Sequence, residues 1–202
     1  MIHDRSRAGW VGASDTYALM SSWDSKTFAA FLSEKLGYPK QTARTRVMYA
    51  GTFWEGRVLT TLGVLRRDRQ IRRRRLCLRV NLDGEDKYTV TEVKTHQDDL
   101  FKVSRKYWMQ AQVEMYATRK KLRIAAYRLL PEDLDNYYAP FDEKRLTVHA
   151  VTYDEQWIRE EYLPRLRVVA RCIKKRRWPS EGEIARFSKK RGRTSDPVPA
   201  AS

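Results

Sequence analysis

The stretch from residue 75 to residue 95 constrains the fold most, because apolar and polar residues alternate in it on both sides of a short polar insert. Before the insert, Leu76, Leu78 and Leu82 share one side of an extended chain, since successive side chains of a β-strand point to opposite faces. The insert, GEDK at residues 84–87, has the composition of a turn. The pattern therefore predicts a β-hairpin with one apolar face.

Three charged residues of this hairpin are predicted to meet at one end of the sheet. Asp83 precedes the turn, and Glu92 and Lys94 follow it in the sequence EVK, with Val93 pointing to the opposite face. Two carboxylates and an ammonium would then lie together. Taken alone, the pattern also fits a surface salt bridge on a solvated hairpin, so the rest of the chain has to decide between the two interpretations.

Length and composition predict one folded domain with a tail. The chain has 202 residues, of which 42% are hydrophobic and 33% charged, enough to bury a core. No apolar run is long enough to span a membrane, and the first residues lack the apolar core of a signal peptide. We expect a single folded domain over residues 1–187, a basic and disordered tail over residues 188–202, and a cytoplasmic location.

The charge of the chain indicates a polyanionic partner. The formal net charge is +16, and the densest basic runs lie at residues 66–75 and 171–177. Nucleic acid is the partner that such an excess favours. A membrane surface is the competing interpretation, but the basic runs lack a strongly amphipathic helix with an aromatic face.

Cysteine and histidine usage excludes several kinds of metal site. The two cysteines, Cys77 and Cys172, are too few for a disulfide framework, a four-cysteine zinc site or an iron–sulfur cluster. The three histidines, His3, His96 and His149, are scattered. Any metal is therefore expected to be held by oxygen atoms, which favours Mg²⁺ or Mn²⁺.

The remaining patterns predict helices around this hairpin and two further strands. Helix-start residues at Ser14 and Asp15 precede a short first helix. Pro164 is expected to kink or split the last helix. The order of elements predicts an α/β protein with a mixed central β-sheet flanked by helices. The predicted helices cover residues 26–36, 41–62, 104–118 and 154–175, and the additional strands cover residues 123–129 and 146–153.

The order of the polar residues resembles that of a known nuclease core. Glu55 comes from a helix, Asp83 from a strand end, Glu92 and Lys94 from the next strand, and Gln110 from the following helix. This order is similar to the PD-(D/E)XK core, in which helix, strand, strand and helix present E, D, E-x-K and Q. The resemblance implies a restriction-endonuclease-like core.

Four short motifs make the resemblance closer. RAGWVGASD at residues 7–15, GTFWE at 51–55, EVK at 92–94 and YWMQAQ at 107–112 resemble the motifs of the phage recombination exonucleases, the lambda-exonuclease-like family. Their order and spacing fit over residues 7–118. Leu82 departs from the pattern, because the family name places a proline there, but that proline performs no chemistry.

The resemblance assigns a role to each of these positions. Asp83, Glu92 and the backbone carbonyl of Val93 would bind one or two Mg²⁺ or Mn²⁺ ions, and Glu55 would be a further ligand or act through a metal-bound water. Such a site suits phosphodiester hydrolysis, which requires charge neutralisation at the phosphate and an attacking water held in line. Lys94 would orient or deprotonate that water.

The remaining positions concern the lysine and the DNA end. Gln110 would hold Lys94 or the substrate phosphate; an exposed polar residue on a helix is the alternative. Arg7 and Ser14 match the residues that bind the terminal 5′-phosphate in the family. A guanidinium forks onto phosphate oxygens, and a serine at a helix start adds further donors.

The resemblance implies a Mg²⁺-dependent exodeoxyribonuclease that digests double-stranded DNA ends from 5′ to 3′. It would leave a 3′ single strand for a single-strand annealing protein and act as a ring-shaped homotrimer of phage or prophage origin. Two alternatives stay open. One is an endonuclease of the same core, of restriction or junction-resolving type, and the other is a catalytically inactive basic DNA-binding protein.

Overall fold

The computed structural model of the chain describes residues 7–38 and 45–188. In this part, three helices precede three strands, a fourth helix and two further strands follow, and three more α-helices come after the last strand. The strands are β1 Arg66–Arg73, β2 Leu78–Glu85, β3 Thr89–His96, β4 Lys121–Arg128 and β5 Leu146–Val151. The α-helices are α1 Thr16–Leu19, α2 Lys26–Leu36, α3 Arg46–Thr61, α4 Arg105–Thr118, α5 Glu155–Trp157, α6 Leu163–Lys175 and α7 Glu181–Phe187.

The strands of the described residues form one mixed sheet in the order β1-β2-β3-β4-β5. β1, β2 and β3 are antiparallel to one another, β4 is parallel to β3, and β5 is antiparallel to β4. The parallel pair requires a crossover, and α4 provides it. The predicted α/β class with a mixed central sheet flanked by helices is confirmed.

Helices cover both faces of the sheet and separate its core into two parts. The larger cluster includes Leu82 and Ile124 from the sheet and Trp108 from α4. The smaller cluster lies on the other face, where Trp54 of α3 is fully buried and stacks on Tyr127 with ring centroids 5.3 Å apart. Neighbouring side chains of one strand point to opposite faces of the sheet. Each polar residue of β2 and β3 therefore lies beneath either α3 or α4.

Local sequence signals explain where the helices begin and end. The side chains of Ser25, Thr45 and Ser104 accept hydrogen bonds from the first turns of α2, α3 and α4. Gly37 ends α2 with φ = 102°, a conformation that glycine adopts without strain. The predicted helix over residues 41–62 is observed from Arg46 onward, and residues 41–44 lie outside the described part.

Two features of the sheet differ from the sequence prediction. β2 extends two residues further than expected, through Gly84 and Glu85, and the tight turn lies at residues 86–88 instead of 84–87. The basic run at residues 66–75, for which no strand was predicted, contains the edge strand β1. Charged side chains suit an edge strand because they discourage pairing with another chain, so the basic composition concealed a strand.

The C-terminal part also departs from its prediction. The helix predicted over residues 154–175 is interrupted by a π-helical segment, Ile158–Tyr162, after which Pro164 occupies the first turn of α6. α7 follows as an additional helix capped by Ser180. The predicted tail lies outside the described residues beyond Ser188. No helix in the described ranges combines the length and the apolarity that crossing a membrane would require.

Candidate active site

The strands β2 and β3 diverge at the point where the predicted carboxylates lie. Their ladder is formed by Gly84 with Thr91 and by Glu85 with Val90. Continued in the same register, Asp83 would oppose Glu92, but the strands separate there instead. The backbone N–H of Val93 donates a hydrogen bond to Asp83 Oδ2 at 2.8 Å. The carboxylate of Asp83 thus occupies the fork and satisfies a strand N–H that lost its backbone partner.

A connected hydrogen-bond network joins β3 to α4 beside this fork. Lys94 Nζ donates to Glu92 Oε1 at 2.6 Å and to Gln110 Oε1 at 3.3 Å. Gln110 Nε2 donates to Glu92 Oε1 at 2.5 Å. Glu92 and Gln110 are buried, and the Lys94 side chain retains 18% exposure. The residues predicted on two separate elements therefore form one site.

Glu114 belongs to the same network although the sequence analysis did not select it. It lies one helical turn after Gln110 on α4, is fully buried, and accepts a hydrogen bond from Gln110 Nε2 at 2.8 Å. Burial and the charge of Glu92 raise the pKa of Glu114 well above its ordinary value. The i, i+4 spacing from Gln110 was the sequence signal that could have identified it.

These contacts fix the orientation of the Gln110 amide. Its carbonyl oxygen faces the Lys94 ammonium, and its NH₂ group faces Glu92 and Glu114. The reversed amide would direct the NH₂ group at an ammonium and the oxygen at two glutamates, which opposes every donor and acceptor. Gln110 therefore links Lys94 to the two glutamates in one defined arrangement.

Glu55 approaches the site from the opposite helix. α3 packs closely on β3 at Gly51, where an added Cβ would lie 3.0 Å from Thr95 Oγ1. Glu55 follows Gly51 by one helical turn and therefore points toward the same strand. Burial raises the pKa of Glu55 to about 7, and the charges of Glu92 and Asp68 add to the increase. Glu55 is thus electrostatically coupled to the fork.

The carboxylates of the site also raise the pKa values of Asp83 and Lys94. Burial, together with Glu92 and Glu55, raises the pKa of Asp83 well above its ordinary value, against the opposing effects of Lys94 and the Val93 N–H. Burial alone would lower the pKa of Lys94, but its carboxylate neighbours outweigh burial and the net shift is upward. The ammonium is therefore charged at neutral pH, within a group of carboxylates that repel one another.

This repulsion predicts a pH dependence of stability in chelator. A carboxyl whose pKa is higher in the folded state favours folding below its ordinary pKa, and this contribution is lost as the pH rises through the folded value. Between pH 5 and pH 8 the Tm of the wild type should therefore fall. Glu55→Gln should reduce that fall, because the amide does not ionise at the pKa of about 7 that Glu55 has. Thermal melts in chelator measure this.

The matched control for that measurement is Glu143→Gln, which changes an exposed glutamate. It should reproduce the wild-type fall in Tm between the two pH values. If the Tm of Glu55→Gln fell with pH as steeply as that of the wild type, ionisation of Glu55 would not destabilise the folded protein.

The donor set of the fork fits a hard divalent cation. Glu92 Oε2 is buried and lacks a hydrogen-bond partner among the described residues, and the charge of Glu92 raises the pKa of Asp83. An unpaired buried oxygen among mutually repelling carboxylates is what a bound Mg²⁺ would satisfy. In the described part of the chain, no three acidic, histidine or cysteine side chains are already arranged around one point. The candidate donors are the Asp83 and Glu92 carboxylates and the Val93 carbonyl, with Glu55 of α3 as a further carboxylate.

Arg7 and Ser14 lie apart from this network in the contacts of the described residues. Arg7 forms an ion pair with Asp15 and a second with Glu34, whose Oε1 is 3.1 Å from Arg7 Nε. Lys35, with 1% exposure, also contacts Asp15 Oδ2 at 2.7 Å. The guanidinium is half-exposed, so one side remains accessible, and the two carboxylates that pair with it also pair with Lys35.

Of the two predicted helix-start residues, Ser14 and Asp15, only Asp15 is the N-cap of α1. The Asp15 carboxylate accepts a hydrogen bond from the Gly12 N–H at 2.7 Å, which closes the 3-10 turn Ala13–Asp15. Ser14 is exposed within that turn and caps no helix. Its predicted role at a DNA end therefore has to rest on its exposed hydroxyl.

Comparisons with known proteins place the fold. No protein-family profile matches the chain, and no curated protein matches its sequence. Two of the crystal structures that match its fold are exonucleases. An alkaline exonuclease from Laribacter hongkongensis has a TM-score of 0.61 and 17% identity, with 90% of this chain and 92% of that chain covered. A phage-related exonuclease from Haemophilus somnus has a TM-score of 0.63 and 13% identity, with 82% and 96% covered.

The chain has the fold of these exonucleases. At such identities the likeness concerns the fold and does not transfer individual residues. It nevertheless confirms the restriction-endonuclease-like α/β core that the resemblance implied. One fold can host different activities, so the chemistry has to be argued from the site itself.

Proposed function

We propose that the protein is a Mg²⁺-dependent exodeoxyribonuclease that digests double-stranded DNA ends from 5′ to 3′. The observation that carries the proposal is the arrangement at the β2–β3 fork. Asp83 lies between the diverging strands, and Glu92, Lys94 and Gln110 form one hydrogen-bond network beside it. The same fold occurs in two exonucleases of known structure.

In the proposed hydrolysis of a phosphodiester, the oxygen donors of the site bind the metal ion. Asp83, Glu92 and the Val93 carbonyl would hold Mg²⁺, with Glu55 as a further oxygen donor. When bound, Mg²⁺ (or Mn²⁺) supplies Lewis-acid polarisation of the phosphate and neutralises developing charge. The unpaired Glu92 Oε2 is the oxygen best placed to serve as a ligand without breaking an existing contact.

Lys94 acts as a cationic donor in this proposal. Its raised pKa keeps the ammonium charged, which suits orienting an attacking water and stabilising negative charge better than removing a proton. Gln110 holds Lys94 toward Glu92, and Glu114 holds the amide of Gln110. The buried side of α4 thereby keeps the ammonium in position.

The charge of the chain supports DNA as the substrate. A formal net charge of +16 attracts a polyanion and speeds association with it. The family resemblance is the sole basis for three further parts of the proposal. They are a homotrimeric ring, a single-strand annealing partner and a phage or prophage origin.

Two substrates distinguish the exonuclease from its alternatives. Linear duplex DNA with Mg²⁺ should be degraded, whereas covalently closed circular DNA of the same sequence should persist. Label at the 5′ end should be released before label at the 3′ end. Cleavage of the circle would instead favour an endonuclease of the same core, and binding without any cleavage would favour the inactive DNA-binding protein.

Recognition of the DNA end makes a separate prediction. Arg7→Ala should lower the ratio of the rates on 5′-phosphate and 5′-hydroxyl ends toward one. A charged hydrogen bond to phosphate contributes roughly 1.5–3 kcal/mol, and the hydroxyl end lacks it in any case. The ratio is the right measurement, because Arg7 also pairs with Asp15 and its loss affects stability equally for both substrates.

Arg159→Ala provides the matched control for end recognition. Arg159 is an exposed arginine on the π-helical segment that also pairs with a glutamate, Glu160. Its replacement should leave the wild-type ratio unchanged. If Arg7→Ala and Arg159→Ala gave the same ratio as the wild type, Arg7 would have no part in binding the phosphate.

A further inference from the structure

A second concave surface of the molecule lies away from the carboxylate network. It is an open cleft of about 1040 Å³ between the C-terminal end of α4, the start of β4 and the end of β5. Tyr116, which lines it, follows Glu114 by two residues, or about 200° around an α-helix. The cleft and the catalytic network therefore lie on different sides of α4. Its volume is at the upper end of the roughly 300–1,000 Å³ of small-molecule sites.

The charge lining this cleft is strongly positive. Four cationic side chains, Arg73, Arg119, Lys120 and Lys121, line it together with one carboxylate, Glu155. Two of the four already have partners, since Arg73 donates to the Ala117 carbonyl at 2.8 Å and Lys120 pairs with Glu85 at 2.7 Å.

The other two cations, Arg119 and Lys121, are exposed and pair with no acidic group among the described residues. Arg119 is also held in the left-handed conformation with φ = 58° at the end of α4. The cleft thus presents two uncommitted positive charges at fixed positions of the backbone.

Aromatic surface accompanies these charges. Tyr116 of α4 and Tyr153 after β5 both line the cleft, and Tyr153 is 41% exposed. Burial raises the pKa of the Tyr153 hydroxyl, Glu155 and Tyr116 raise it further, and Arg119 opposes them, so these groups lie near one another. An exposed tyrosine beside unpaired cations is the combination that binds unpaired nucleobases and their phosphates.

The wall that carries Tyr153 is rigidly attached to the helix. Gln112, fully buried on α4, donates to the Thr152 carbonyl at 2.8 Å and accepts from the Asp154 N–H at 2.7 Å. These two bonds hold the backbone on both sides of Tyr153. The tyrosine is therefore positioned before any ligand arrives, which lowers the entropy lost on binding.

We propose that this cleft binds a short segment of single-stranded DNA, with Arg119 and Lys121 on its phosphates and Tyr116 and Tyr153 against its bases. A duplex keeps its bases stacked inside, so tyrosines in a cleft favour a strand whose bases are unpaired. The inference takes from the proposed function only the choice of DNA as the nucleic acid. A nuclease that produces single strands would use such a site to retain one of them.

Binding is tested with a fluorescent oligothymidylate in excess chelator, where no cleavage is needed for the readout. Arg119→Ser combined with Lys121→Ser should weaken binding on the order of tenfold and reduce the slope of log affinity against log salt by about 0.7 per lost phosphate contact. Tyr153→Ala should weaken binding by a similar factor without changing that slope, because stacking releases no counterions.

The control is a double variant, Lys144→Ser with Lys175→Ser, which removes two exposed charges elsewhere. It should retain most of the affinity for the oligonucleotide. Equal losses in the two double variants, or an equal effect of Tyr153→Ala on blunt duplex DNA, would overturn the proposal.

Photo-cross-linking locates the strand directly. An oligonucleotide that carries 5-iodo-2′-deoxyuridine should cross-link to Tyr116 or Tyr153, as identified by mass spectrometry of the digested complex. Cross-links confined to other parts of the chain would contradict the site. Failure of the nuclease proposal would leave these binding measurements interpretable, and failure of the cleft would leave DNA digestion intact, so the two outcomes are separable.

Discussion

Lys94→Ala is expected to lower the rate of DNA digestion by about 10²–10⁴-fold, the range that a positioned proton-transfer or charge-stabilising group contributes. DNA affinity should stay nearly unchanged, since one of 41 lysines and arginines is removed. The physical reason is the position of the ammonium, 2.6 Å from Glu92 Oε1 and directed by Gln110. Single-turnover digestion of a linear duplex with excess enzyme and Mg²⁺ measures the chemical step.

Lys144→Ala is the matched control for the lysine. It removes the same charge from an exposed lysine outside the network of Glu92, Lys94 and Gln110. It should digest DNA at nearly the wild-type rate, and a thermal melt of both variants shows whether either has lost its fold. A folded Lys94→Ala protein that digests DNA as fast as the wild type would remove Lys94 from the mechanism.

Glu92→Gln and Asp83→Asn are each expected to abolish digestion and the stabilisation of the protein by Mg²⁺. Loss of an outer-shell partner of a metal ligand already lowers affinity or activity by about 10–100-fold, and loss of a ligand itself should exceed that. In the absence of metal, Asp83→Asn should raise the Tm at pH 8, because it removes one charge from a group of mutually repelling carboxylates. Glu92→Gln should raise it less, since it also leaves the Lys94 ammonium without its partner at 2.6 Å. Thermal melts with and without Mg²⁺ give both results.

Glu85→Gln separates metal binding from general stability. Glu85 is a buried glutamate at the end of β2, but Arg69 and Lys120 hold it at 2.6 and 2.7 Å. Its replacement should lower the Tm by leaving two cations without their partner, while the increase in Tm on adding Mg²⁺ persists. Mg²⁺ stabilisation that survived in both Glu92→Gln and Asp83→Asn would place the ion elsewhere.

Much of the site was predictable because its residues lie on elements with strong local signals. The alternation of residues 75–83 and the spacing of Glu92 and Lys94 depend only on the two-residue period of a strand. Gln110 lies on a helix whose N-cap, Ser104, is explicit in the sequence. These signals are local, so they can be recognised without knowledge of the tertiary structure.

The features that sequence reasoning missed depend on contacts between distant segments. The divergence of β2 from β3, which lets Asp83 accept the Val93 N–H, is a property of two strands and their covering helices. The pairing of Arg7 with Glu34 joins segments that no local pattern relates. β1 was missed for a different reason, since its arginines hide the alternation that identifies a strand.

Glu114 occupies an intermediate position between these cases. It shares a helix face with Gln110, which the sequence indicates, but its complete burial follows from how α4 packs on the sheet. A glutamate on a helix is usually solvated, and only the tertiary structure identifies this one as part of the hydrogen-bond network with Gln110.

The most direct test of the account is the release of acid-soluble nucleotides from linear duplex DNA by the purified wild-type protein. With Mg²⁺ the release should proceed from the DNA ends until much of one strand is consumed, and excess chelator should stop it. Release is expected to depend on the metal because the buried, unpaired Glu92 Oε2 and the Asp83 carboxylate are assigned to a metal ion. Full nucleotide release in chelator, or none in Mg²⁺ or Mn²⁺, would contradict it.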